Sequence, residues 1–176
     1  MAVTVDAEGL EALISSPEVD LIEEDVAHPP TLADSVPLLG GDMAGEFSGY
    51  TGAGQTVAIL DTGVDSSHPF LSGKVVEEAC YSSTMSGSVS VCPNGSPEQI
   101  GPGSGVNCNQ AISGCFHGTH VAGIVAGSGP GFSGVAKDAD IIAMQVFSQF
   151  NSSANCGATV PCALTWNSDY LKALER

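Results

Sequence analysis

At 176 residues, 43% of them hydrophobic and with a mean hydropathy of +0.19, the chain has enough apolar material for one domain with a real core and is no disordered polymer. Twenty acidic residues against four basic ones give a net charge of −16, a surface that repels phosphate backbones and excludes nucleic acid as an expected partner. No apolar run approaches the ~18 residues that span a bilayer, so no membrane partner is expected either.

The start, MAVTVDAEGLEALI, lacks the basic and apolar regions of a secretory leader. Residues 1–47 hold eleven of the twenty acidic side chains and no Lys or Arg, a shift that points to two pieces with different roles. Within that segment AEGLEALISS (7–16) reads as a short acidic helix, and Val19, Leu21 and Ile22 as a strand-like run. HPPTLADSVP (28–37), with three prolines, reads as a linker. GYTGAGQ (49–55) is turn chemistry. TVAILD follows as a buried strand, continuously apolar from Val57 to Leu60 and stopping at Asp61-Thr62-Gly63.

Residues 82–114, rich in Gly, Ser, Asn and Pro, read as a long surface loop. A helix of small residues is expected over 118–127, and a second buried strand over DIIAMQVF (140–147). Another Cys/Asn/Ser loop leads to a last helix in SDYLKALER, with Ser168 as its N-cap. This alternation defines an α/β protein with a parallel sheet. Right-handed crossovers bring the carboxyl end of the first strand close to the helix start, at the edge where such sheets bind ligands. Asp61 and His117 both belong at that edge.

Six cysteines fall into three local couples, Cys80/Cys92, Cys108/Cys115 and Cys156/Cys162, although six allow 15 connectivities. Each couple lies in a loop-like stretch, and local bridges stapling loops fit an exported protein. Zinc is not expected, since no CxxC pair occurs.

HGTHVAGIVAG (117–127) sets two histidines at i and i+3 at the head of a helix. An ionised Asp that accepts from one imidazole nitrogen fixes the tautomer and leaves the other nitrogen to take a proton from a nucleophile. Spacing alone leaves open whether His117 or His120 is that base. His120 is expected to pack along the helix. A metal site from His117, His120 and His68 is a rival without motif support. The single DTG also marks aspartic proteases, but those need two such motifs, and nothing in that reading requires HGTH.

GYTGAGQTVAILDTGVDSSHP, HGTHVAGIVAG and GVAKDADIIAMQVF together resemble the subtilisin-like serine peptidases over residues 49–147, with the acid and base blocks in that family's order. The resemblance implies a three-layer fold around a parallel sheet. It also implies a secreted endopeptidase acting on polypeptides, with His117 as base and Asp61 as its orienter. PEVDLIEEDVAHPP is similar to the end of the family's inhibitory propeptide, and ADSVP (33–37) to a mature N-terminus. Residues 1–32 would then be the C-terminal part of a propeptide, itself a partner, and 33–176 the N-terminal part of the peptidase domain.

The family's serine lies in a G-T-S-x-A block well after the histidine, and the chain contains none. Ser133 in GFSGV is neither that block nor a G-x-S-x-G elbow, because Val135 stands where the second Gly should be. The family's oxyanion Asn falls downstream of the helix that SDYLKALER begins. The expectation is therefore a fold truncated after its first strands, inactive alone, with a non-catalytic binding or inhibitory module as the alternative. Many members carry an Asp calcium ligand just after the SSHP turn. Phe70 stands there, so no calcium or other cofactor is expected.

Overall fold

The computed structural model describes residues 5–19, 22 and 49–176. The chain separates into two compact units, Met1–Thr31 and Leu32–Arg176. In the first, α1 (Ala7–Ile14) starts at Asp6, whose carboxylate accepts from the Gly9 N–H at 2.9 Å and so satisfies one of the free donors of the first turn. Val19 and Ile22 lie in no strand. The linker at 28–37, the cleavage point near 32–33 and Leu21 lie outside the described residues.

Among the described residues, the second unit is built on two sheets. In the larger, β1 (Thr56–Asp61), β5 (Asp140–Gln145) and β2 (Val75–Tyr81) run parallel in the order β1-β5-β2, and β4 (Glu98–Ile100) pairs antiparallel with β2. The smaller sheet is antiparallel, ordered β3-β6-β7 from Ser88–Val89, Phe147–Phe150 and Cys162–Thr165. Helices α2 (His117–Ala126), α3 (Ser153–Cys156) and α4 (Asn167–Leu174) complete it, with a 3-10 turn at Pro69–Leu71.

Period-two alternation sends successive side chains of β1 and β5 to opposite faces, and each face is covered by a helix. Ile59, Ile141 and Ala143 pack with Leu71 and with Ala122 and Ala126 of α2. Leu60, Ile142 and Met144 pack with Ala79, Tyr81 and Ala173 of α4. Burial on both faces makes β5 an unbroken apolar run, whereas β1 is covered less completely and exposes Ala58. The result is the expected three-layer α/β arrangement.

Several elements differ from the sequence reading. DIIAMQVF is not one strand: β5 ends at Gln145 and β6 begins at Phe147 in the other sheet. Residues 82–114 are not simply surface loop. They hold β3 and β4, and Ser82, Ser88, Ser104, Cys92, Cys108 and Ile112 are buried. Buried hydroxyls there find partners inside the fold, as between Ser82 and Ser148 at 3.0 Å, so a polar composition did not mean exposure. Ser168 does not cap α4, which starts at Asn167. The fully buried Asp169 anchors the first turn instead, accepting from the Ser83 N–H at 2.8 Å and its hydroxyl at 2.7 Å. The three cysteine couples are disulfides, with Cα–Cα distances of 5.7, 5.2 and 5.6 Å in chain order.

Candidate active site

Asp61 is the last residue of β1 and His117 the first of α2. Their meeting needs the helix N-terminus to approach the strand end very closely, and Gly118 permits it. A Cβ on Gly118 would overlap the Gly63 carbonyl oxygen and lie 3.1 Å from both the Asp61 Cβ and the Thr62 nitrogen. The Gly118 N–H donates to the Thr62 hydroxyl at 3.0 Å, and the Asp65 N–H to the Thr119 hydroxyl at 2.9 Å. These two bonds fasten the DTGVD turn to the HGTH turn.

His117 Nδ1 lies 2.9 Å from Asp61 Oδ1 and 2.8 Å from Oδ2, and Oδ1 also accepts from the Thr62 N–H at 2.7 Å. With the carboxylate ionised, Nδ1 carries the proton and donates it, which leaves Nε2 as the acceptor nitrogen. The Asp61 side chain is 13% exposed and the His117 side chain 59% exposed. A rigid, shielded acid thus holds an imidazole that solvent can reach.

Beneath the pair lies Gln145, fully buried and opposite Asp61 in the β1–β5 register. Its amide donates to the Thr62 carbonyl at 3.3 Å and its oxygen accepts from the Phe147 N–H at 2.5 Å. The Thr62 carbonyl also accepts from the Cys108 N–H at 3.1 Å. The supporting roles of Thr62, Thr119 and Gln145 are not visible in the sequence pattern. The available signal for Gln145 was a lone amide inside an apolar run, which a buried strand tolerates only when both ends of the amide are bonded.

The other sequence candidates are placed apart from the pair. His120 is exposed rather than packed, which corrects the expectation made for it. The buried positions of α2 are Gly118, Ala122, Gly123 and Ala126, and position 120 falls on another face. His68 Nδ1 accepts from the Phe70 N–H at 3.2 Å. Among the described residues, no group of three His, Cys, Asp or Glu is arranged to hold a metal ion. The half-buried Phe70 ring packs against Phe132, centroids 4.9 Å apart, in a slot lined by Gly123, Gly127 and Gly129.

The aspartate at the strand end, bonded to the histidine at the helix start, fixes the orientation of the imidazole and leaves its second nitrogen free. Comparison with known proteins gives the family. The family model described as the subtilase family (peptidase S8) matches residues 52–160, so the chain belongs to the subtilase family. It is 32% identical over 157 residues to subtilisin E of Bacillus subtilis (strain 168), an alignment covering 86% of this chain and 34% of that protein. It is 37% identical over 126 residues to the minor extracellular protease Vpr of the same organism, covering 71% of this chain and 14% of the relative. Among solved structures, fervidolysin from Fervidobacterium pennivorans, a keratinolytic enzyme related to subtilisin, matches with 31% identity and a TM-score of 0.37. That match covers 62% of this chain and 14% of fervidolysin. The chain spans about a third of the length of subtilisin E.

Proposed function

We propose that Asp61 and His117 are the acid and base of a serine-endopeptidase triad, and that the whole protein cleaves peptide bonds of polypeptides. The observation that carries this reading is the pair of 2.8–2.9 Å contacts between His117 Nδ1 and a shielded Asp61 carboxylate. In this reading His117 Nε2 takes the proton of a serine hydroxyl as it attacks the scissile carbonyl. It then returns the proton to the leaving amine, and later repeats the exchange with water to release the acyl group. Asp61 stays ionised throughout and stabilises the imidazolium.

The serine and the oxyanion-holding Asn come from sequence outside these 176 residues in this reading, since no G-T-S-x-A block occurs within them. Residues 1–32 serve as the end of a removable propeptide, and the enzyme works outside the cell. Local disulfides and the extracellular relative support that location. The turn at Phe70 takes no calcium. Its aromatic ring, seated among glycines, supplies packing where a cation would need oxygen donors.

The test uses the full gene product with a peptide substrate and a serine-directed phosphonate probe. Asp61→Asn should lower kcat by about 10⁴-fold, with His117→Ala at least as damaging. The 176-residue chain alone should take up no probe. If it labels, and His117→Ala abolishes the label, the nucleophile lies within it, with Ser133 the first to examine. A full-length product that neither labels nor hydrolyses would make the chain a binding module instead.

A further inference from the structure

The helix that carries His117 begins without a capping side chain. Phe116 occupies the N-cap position and makes no side-chain bond to the first turn. The Gly118 N–H bond to the Thr62 hydroxyl and the Asp65 N–H bond to the Thr119 hydroxyl hold the first turn from the acid's side, and a displacement well under the length of a hydrogen bond would separate Nδ1 from the carboxylate.

The segment just before the helix holds it from the other side. The Val64 N–H donates to the Gly105 carbonyl at 2.8 Å and the Cys108 N–H to the Thr62 carbonyl at 3.1 Å, so residues 105–108 lie along the turn that follows Asp61. Seven residues later comes Cys115, two before His117, and the His117 N–H donates to the Gly114 carbonyl at 3.0 Å. The disulfide between Cys108 and Cys115 therefore joins the backbone docked on the acid's turn to the backbone that launches the base. Both sulfurs belong to buried residues and pack around Ile112, with Val91 and Ala163 beside them. The far side of the loop is held too: the Ser113 N–H donates to the Pro161 carbonyl and the Ala163 N–H to the Ser113 carbonyl, each at 2.9 Å.

We propose that the Cys108–Cys115 disulfide is a positioning device for the Asp61–His117 pair, a covalent clamp that acts beside the Thr62 and Thr119 hydroxyl bonds and sets the imidazole against its carboxylate. The proposal rests on the acid–base reading of that pair. Cys108 and Cys115 act through the backbone and touch no reacting atom. The other two bridges, Cys80–Cys92 and Cys156–Cys162, do not join these two turns.

The experiment is NMR of the isotope-labelled full chain, following the His117 ring nitrogens and the Nδ1 proton. In the parent protein that proton should be visible and slow to exchange, and Asp61→Asn should remove its downfield shift. In Cys108→Ala/Cys115→Ala the amide spectrum of β1, β5 and α2 should persist while protection of the Nδ1 proton falls by about tenfold or more. The ring should then move toward the mixed tautomers of free imidazole. Cys156→Ala/Cys162→Ala should leave the Nδ1 signal unchanged. If the alanine pair unfolds, Cys108→Val/Cys115→Val keeps the apolar volume around Ile112 without the bond and should show the same loss. A parent-like Nδ1 signal in the valine pair, or equal loss on opening the 156–162 bridge, overturns the clamp. A parent protein without an Asp61-dependent Nδ1 proton overturns the acid–base reading itself.

Discussion

Changing Gly118 to Ala sets two effects against each other, and the geometry decides between them. Helix propensity alone favours Ala over Gly by at most about 1 kcal/mol, and less this close to a helix start. The added Cβ would overlap the Gly63 carbonyl oxygen and sit 3.1 Å from the Thr62 nitrogen and the Asp61 Cβ. None of those atoms can rotate away, so the helix must shift. Overpacking of this kind costs about 1–3 kcal/mol. The shift also stretches the 3.0 Å bond from the Gly118 N–H to the Thr62 hydroxyl, a loss of about 1 kcal/mol. The net expectation is a destabilisation of about 1–3 kcal/mol, which in equilibrium urea unfolding lowers the midpoint by about 1 M. An alanine variant as stable as the parent, or more stable, would refute the claim that close approach governs this position.

Gly127→Ala meets the Phe70 ring, so it should cost about 1–3 kcal/mol in the same assay, and a cycle with Phe70→Ala should show a coupling of about 0.5–3 kcal/mol. Independent, additive losses would mean that the ring is not what the glycine makes room for. Asp169→Ala strands two donors of Ser83 and should lower stability by about 3 kcal/mol, with about half of the loss absent in a Ser83→Ala background, which removes the hydroxyl but keeps the backbone N–H, read from denaturation midpoints.

How much of this was legible depended on which face of each segment was buried. Ile59, Leu60 and Ile141–Met144 pack into the two clusters on either side of the sheet, so the apolar runs that hold them announced strands, and Asp61 at the end of the first marked a sheet edge. β2 went unread because Glu77 and Glu78 interrupt Val75–Tyr81, and the register shift between Val75 and Glu77 leaves Val76 exposed. A bulge destroys the period that a sequence pattern relies on. The smaller sheet was missed for a different reason. Its strands are two to four residues long and set among Ser, Asn and Cys, where hydroxyl pairing and disulfides replace a hydrophobic signature. At the site, Asp61 and His117 could be named from their blocks. The hydroxyls of Thr62 and Thr119 could not, because a threonine beside a functional residue looks the same whether or not its oxygen meets a distant N–H.

The strand order β1-β5-β2 also fixes a sequence of events. Among the described residues, β1 has only β5 beside it, and β5 starts at Asp140. A chain emerging from the ribosome therefore exposes an apolar strand ending in Asp61 long before its neighbour exists. Parallel pairing across so many intervening residues is slow, since the loop must close before the contacts repay it. Until that pairing closes, the unpaired apolar strand is the stretch most open to aggregation.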